Sequence, residues 1–319
     1  MVAWQIASRL KWLRADALAK YRRILDHFHT SQHTASELDL AEMHIKLGEP
    51  LKGIEIIRAF KTGETTTTIR KQILLARALW SMRMPKMGAY LLFNSRELDA
   101  SYDLCLELAR LNYILGTNAS TPLQAKEYLE AASSTLKHCL RLAPHRPEAY
   151  SLHACIAAPY AEWRDLALDF YHRFEEAVFM MEEEISDWFM IMDAFYFNKH
   201  MGRLEEAQRW LEKLQHLLKR CPWLGDRFAF SALAHALRRL GNEALYEENL
   251  QCAWLLYPSK GGELMRDYAR SGRFFRVARM LWIAYRCTDL REYRWRLAFA
   301  KAKGSAAKQL LADLTGLSF

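Results

Sequence analysis

The chain has 319 residues, 51% hydrophobic and 26% charged, with 45 Lys and Arg against 37 Asp and Glu for a net charge of +8. Its 13 Gly and 8 Pro are few for this length, which argues against collagen, long disordered linkers and the turn-dense β-sandwiches and barrels. The longest apolar run, Trp188 to Phe197, holds ten residues and contains Asp193, so no membrane-crossing helix is expected.

In the first segment Ile6, Leu10, Leu13, Ala17, Tyr21, Ile24 and Phe28 keep a three-four rhythm, with Arg9, Arg14, Lys20, Arg22 and Arg23 between them. That pattern predicts one long amphipathic helix within residues 1–32. It suits the first helix of a bundle, and a helix lying on a membrane surface has the same look. Arg9 and Lys11 interrupt what a secretory signal needs as an unbroken apolar stretch, while the acid-poor start resembles a mitochondrial presequence. Six cysteines (Cys105, Cys139, Cys155, Cys221, Cys252, Cys287) lie far apart with no Cys-x-x-Cys pair. They read as reduced, mostly buried thiols of a cytoplasmic protein.

Helix pairs with short punctuation follow. Gly48-Glu49-Pro50 separates Thr34 to Leu47 from Leu51 to Phe60, and Met84-Pro85 separates Ile69 to Arg83 from Lys86 to Ser95. A loop through Gly116-Thr117-Asn118 leads to a strong helix, Leu123 to Leu142, with Thr121 or Ser120 as cap and Pro122 at its first position. Pro147 opens a helix to Ala158, and Pro159 precedes another from Glu162 to Met181. Gly202, Gly241 and Gly272 each stand where a helix can end in a left-handed residue. A last pair is expected over Leu290 to Lys303 and Ser305 to Leu314.

The spacing of Gly202, Gly241 and Gly272 brackets a helix-turn-helix period of about 34 residues. Gly202-Arg203-Leu204-Glu205-Glu206-Ala207 and Gly48-Glu49-Pro50-Leu51-Lys52-Gly53 each place a turn before a small residue that opens the second helix. Leu250, Ala253 and Pro258, and Leu136, Cys139 and Pro144, give a large-small-Pro ending. On these residues, and on the junction from Leu140-Arg141-Leu142-Ala143-Pro144 to Glu148-Ala149-Tyr150, residues 33–286 resemble the tetratricopeptide repeat family in degenerate form. The Trp and Gly-Tyr of the family's first helix are mostly missing, and Tyr246 stands where the family has Ala. The resemblance implies an all-α fold, a right-handed superhelix (α-solenoid) of seven to nine antiparallel helix pairs. Residues 1–32 form its N-terminal helix and residues 287–319 its basic capping helices. A generic α-solenoid or an irregular bundle is the alternative.

Catalytic signatures are missing: there is no phosphate loop, no Gly-x-Gly-x-x-Gly, no His-Glu-x-x-His and no Gly-x-Ser-x-Gly. Glu175-Glu176 and Glu182-Glu183-Glu184 read as solvated helix faces. The chain is therefore expected to be no enzyme and to carry no cofactor. His27, His29 and His33 have imidazoles that suit zinc or copper, but histidines near a helix C-terminus are favoured by its dipole alone. No metal site is expected.

The helix from Ser186 to Met201 is apolar nearly all round, which in itself describes a buried central helix. First helices of tetratricopeptide pairs line a concave groove, so the resemblance implies that Phe189, Met192, Tyr196 and Lys199 face it. Phe228, Ser231, His235 and Arg238 follow from the next repeat, then Arg266 and Arg270. Where the family's carboxylate clamp needs Asn and Lys, the first repeat offers Leu38 and Glu42, so a chaperone C-terminal-peptide function is not expected.

Charge is unevenly placed. Residues 260–319 hold 13 Lys and Arg against 5 Asp and Glu, whereas residues 161–193 hold 2 against 10. Such polarity fits an acidic partner at one end, a basic one in the middle, or head-to-tail self-association, and equally fits solvated helix faces with no partner. The expected function is non-catalytic protein binding, as scaffold, adaptor or assembly chaperone, with a groove for a peptide or helix bearing apolar anchors and acidic residues. The alternative is nucleic-acid binding by a basic patch of Arg273, Arg276, Arg279, Arg291 and Arg294, interleaved with Phe274, Phe275, Trp282, Tyr285, Tyr293 and Trp295. Aromatics at helical spacing are more often core, which weighs against it.

Overall fold

In the computed structural model, which describes residues 12–32, 34–61, 64–181, 185–258, 262–287, 289–302 and 304–317, seventeen α-helices and no strand occur among the described residues. Those falling in 37–45, 50–210 and 296–319 form one compact unit, and those in 1–36, 46–49 and 211–295 form another. The chain begins with α1 (Ala15–Ser31), α2 (Glu37–Lys46), α3 (Pro50–Ala59), α4 (Thr65–Ser81), α5 (Pro85–Phe93) and α6 (Tyr102–Thr117). Then come α7 (Pro122–Leu142), α8 (Pro147–Ala157), α9 (Arg164–Phe179), α10 (Trp188–His200), α11 (Leu204–Arg220) and α12 (Arg227–Arg239). Last are α13 (Glu243–Leu256), α14 (Gly262–Arg270), α15 (Phe274–Cys287), α16 (Leu290–Lys301) and α17 (Ser305–Thr315).

The first unit is built of sequential hairpins. Helix α4 packs on α5, α6 on α7 and α8 on α9, while α4 also touches α6, α6 touches α8, and α8 touches α10. Small residues permit these approaches. A Cβ on Gly53 of α3 would lie 2.7 Å from Ile45 Cγ1 and 2.9 Å from the Ala41 carbonyl oxygen of α2. The apolar faces meet in two clusters. One centres on Cys105, Ala109, Leu136, Cys139, Leu152 and Ile156, the other on Ala154, Tyr171, Phe174, Met190 and Phe197. Tyr171 and Phe197 stack with centroids 4.0 Å apart, and the Tyr171 hydroxyl accepts from Asn198 Nδ2 at 2.7 Å and Trp210 Nε1 at 3.0 Å. A buried phenol thus keeps its polar end satisfied.

In the other unit α12 pairs with α13, α14 with α15, and α1 lies against α13 and the short 3₁₀ turn Pro222–Leu224. Tyr246, the departure from the repeat pattern, is buried in α13 and sends its hydroxyl to Asp267 of α14.

The expected punctuation is present. Thr121 accepts from the Gln124 amide with Pro122 in the first turn, and Gly202, Gly241 and Gly272 have φ of 75°, 77° and 71°. Two expectations are corrected. The first helix does not run through Leu13: Arg14 is extended (φ −67°, ψ 136°), and α1 starts at Ala15. The Arg14 amide donates instead to Gln251 Oε1 at 2.8 Å, while Trp12 packs on Trp254 and Tyr268. A side-chain acceptor and an aromatic pocket outcompete one more helical turn. The helix expected from Glu162 opens as a 3₁₀ turn, Ala161–Trp163, and is α-helical from Arg164. Ile6, Arg9, Leu10, His33, Glu182, Glu183, Glu184 and Lys303 lie outside the described residues.

Candidate functional site

Helix α4 places Arg70 and Arg77 seven residues apart on one face, and α6 places Asp103, Glu107 and Arg110 at spacings of four and three. Because α4 packs on α6, and α6 on α8, these side chains meet. They enclose a cavity of about 280 Å³, lined also by Glu42 of α2, Arg146 and Glu148 at the start of α8, and Asp187 before α10, with Ile73, Leu74 and Leu106 as its apolar floor.

Every arginine there is held by a carboxylate. Arg77 grips Glu107 at two points, Nε to Oε1 at 3.1 Å and Nη2 to Oε2 at 3.0 Å. Arg110 Nη2 lies 2.5 Å from Asp187 Oδ2, and Asp187 Oδ1 caps α10 by accepting from the Phe189 amide at 2.9 Å. Arg146 spans Asp103 and Glu148, both at 2.7 Å, with its guanidinium 4.1 Å from the Tyr102 ring centroid. Arg70 bonds Asp39 and reaches Glu42 at 3.4 Å. Arg110 Nε is buried with no hydrogen-bond partner.

Burial opposes charge on Arg77 and Arg110, yet the facing carboxylates override it and raise both above the ordinary arginine range. Burial likewise works against ionised Asp187, but Arg110 holds it below the usual carboxylate range. Asp193, six residues further on and within α10, has no such partner. Burial pushes it up to about 8, against the weaker pull of Arg110 and a 3.4 Å hydrogen bond from Ser151 Oγ. The site therefore presents fixed positive and negative groups over an apolar floor. Among the described residues, no three His, Cys, Asp or Glu side chains are grouped to hold a metal. His27 stacks flat on Trp223 at 4.5 Å and is lowered by burial.

Of the residues expected to line a groove, Phe189 lies at this site, with Arg110 4.5 Å from its ring centroid. Met192 is only 4% exposed and is a core residue, because α10 buries nearly its whole circumference. Tyr196 and Lys199 are half-buried. Phe228, Ser231, His235, Arg238, Arg266 and Arg270 belong to the other unit. There His235 Nε2 lies 2.8 Å from Glu263, Arg238 Nη1 lies 3.2 Å from Asp267, and Phe228 sits under Arg227 at 4.2 Å. Acids of α14 thus occupy His235 and Arg238, while Arg266 and Arg270 are exposed.

The basic patch divides. Arg273 and Arg276 both reach Glu247 Oε1, at 3.4 and 3.3 Å, and Arg276 is half-buried against Trp12 and Tyr268. Glu247 also accepts from the Tyr268 hydroxyl at 2.7 Å, so Arg276 is an internal strut rather than a surface charge. Arg291 is held by Asp289 at 2.8 Å; Arg279 and Arg294 are exposed. Of the aromatics interleaved with these arginines, Phe274, Phe275, Trp282, Tyr285 and Tyr293 are exposed and Trp295 is half-buried. Met280 and Ile283 are what α15 buries.

Arg70, Arg77, Glu107, Arg110, Arg146 and Glu148 were not legible as a site. The available signal was a pair of opposite charges, Glu107 and Arg110, inside a mostly apolar stretch from Leu104 to Leu115. No protein-family model matches the chain, and no curated protein is significantly similar to it in sequence.

Proposed function

We propose that the chain is a non-catalytic protein-binding module of tetratricopeptide type, a superhelix whose first helices bind a partner segment. The observation that carries this reading is the succession of α4, α6, α8 and α10. Each touches the next, and their shared face holds the charged cavity. A preformed surface of this kind loses little conformational freedom on binding. The partner is a peptide or helix with acidic residues and apolar anchors. Its carboxylates compete with Asp39 and Asp103 for the outer arginines, Arg70 and Arg146, and its anchors rest near Ile73, Leu106 and Phe189. Arginine suits that exchange because its forked donors accept a carboxylate at two points.

The six thiols are unpaired and four of them are buried, which fits a reducing compartment such as the cytoplasm. No helix among the described residues is long and apolar enough to cross a membrane.

Selection of a displayed random-peptide library on the purified chain tests the reading. Enriched peptides should combine acids with aromatic or branched apolar residues. Their affinity should fall about tenfold or more in an Arg70→Glu/Arg146→Gln variant that keeps its thermal unfolding transition. Peptides that bind this variant undiminished, or a selection that enriches nothing, overturn it.

A further inference from the structure

Two surfaces of opposite sign carry large apolar side chains in the open. On α15, Phe274 is 68% exposed, Phe275 74%, Trp282 46% and Tyr285 78%, with exposed Arg279 lying 5.6 Å from the Trp282 ring centroid. Arg286 is exposed one residue beyond Tyr285. Glu162 just before α9 and Asp165, Asp169, Glu175 and Glu176 on it are exposed, with exposed Arg164 and Arg173 among them, and the helix runs out into Phe179 and Met180 at 86% and 79% exposure. Contiguous exposed apolar groups rimmed by charge mark interaction surfaces.

Helix α15 holds Arg276, Arg279 and Arg286 and no acid, whereas residues 162–176 hold five acids against Arg164 and Arg173. A nucleic acid or an acidic peptide would satisfy α15 alone and leave Phe179 and Met180 in water. A second copy of the chain covers both. We propose that the chain self-associates through α15 of one copy docked on the acidic face and apolar end of α9 of another. Arg279 and Arg286 then meet the carboxylates, and the α15 aromatics cover Phe179 and Met180. The contact is heterologous, so it closes into a dimer if two equivalent contacts form and otherwise extends into a chain.

Sedimentation velocity on nuclease-treated full-length protein tests this, over about 1 to 100 μM. It is run at 0.1 M and 1 M salt, between which the screening length falls from about 10 Å to about 3 Å. Association should rise with concentration and weaken at the higher salt. Arg279→Glu/Arg286→Glu should weaken it about a hundredfold, since like charges then face each other, and Glu175→Lys/Glu176→Lys should do the same. A mixture of the two variants should associate again, because each then offers the other a complementary face. All four side chains are exposed, so circular dichroism should be unchanged. A chain that stays monomeric at every concentration overturns the proposal. If that monomer binds a single-stranded oligonucleotide through Arg279 and Arg286, the α15 face belongs to nucleic acid. Association that both variants retain also overturns it.

Discussion

Arg77 of α4 and Glu107 of α6 face each other in a two-point contact, both distances near 3 Å, with Glu107 only 3% exposed. The carboxylate is the more deeply buried partner, and Arg110 Nη1 lies 4.0 Å from it. Losing the arginine strands an anion away from water, whereas losing the anion leaves an arginine that still reaches the cavity. Arg77→Met should therefore cost about 3 kcal/mol in urea unfolding, and Glu107→Gln distinctly less. Combining Arg77→Met with Glu107→Leu should recover part of the loss, since neither charge is then left unpaired. Additive losses in that cycle would show the two side chains to be energetically independent.

Asp193 gives the fold a pH dependence of known sign. An unfolded aspartate ionises near pH 4, but in the folded chain burial raises this group to about 8. Between those values the folded state holds a proton that the unfolded state has released. Stability contributed by this site is thus full below pH 4, declines by up to about 1.4 kcal/mol per pH unit as pH rises toward 8, and is level above it. The groups that set the value are Arg110, Asp187 and Ser151. Asp193→Asn removes the slope, so its urea midpoint relative to wild type should climb from pH 5 to pH 8. Parallel profiles for the two proteins would refute the assignment.

Helix α10 shows why apolar sequence alone does not separate core from surface. Its apolar residues go all round, so the groove register predicted for Met192 and Tyr196 had no polar stripe to anchor it. Phe197 is fully buried on Tyr171, whereas Tyr196 is half-buried. Phe197→Ala should cost about 3 to 5 kcal/mol in chemical denaturation, and Tyr196→Ala less than half of that. Similar losses at both positions would place Tyr196 in the core as well.

Helix ends were legible because they rest on local chemistry. Thr121 with Pro122 opens α7, and Gly202, Gly241 and Gly272 take positive φ, each within a few residues of the element it delimits. The charged site was not legible for the opposite reason. Arg77 and Glu107 are separated by 30 residues, and only the packing of α4 on α6 brings them together. Helix α15 fails in a third way. Its periodicity marks an aromatic face, but a repeat of 3.6 residues does not say which face the rest of the chain covers. Met280 and Ile283 proved to be the covered side. The break before α1 depended on Gln251, a residue from the far end of the chain.

Gly53 and Gly202 both stand in turn-and-helix segments that resemble the repeat pattern, yet they are needed for different reasons. At Gly53 a methyl group would press on Ile45 and on the Ala41 carbonyl, backbone that a helix cannot move cheaply. At Gly202 nothing lies within 4 Å, and only the φ of 75° asks for glycine. Gly53→Ala should cost about 1 to 3 kcal/mol by overpacking, even after the helix-propensity gain of alanine. Gly202→Ala should cost about 1 kcal/mol from the left-handed backbone alone. Trimming the opposing side chain separates the two. Ile45→Ala, which removes the Cγ1 nearest position 53, should relieve part of the Gly53→Ala loss in a double-mutant cycle read by urea unfolding, and should leave the Gly202→Ala loss unchanged. If Ile45→Ala rescues neither glycine variant, close approach of α3 to α2 is not what the small residue at position 53 provides.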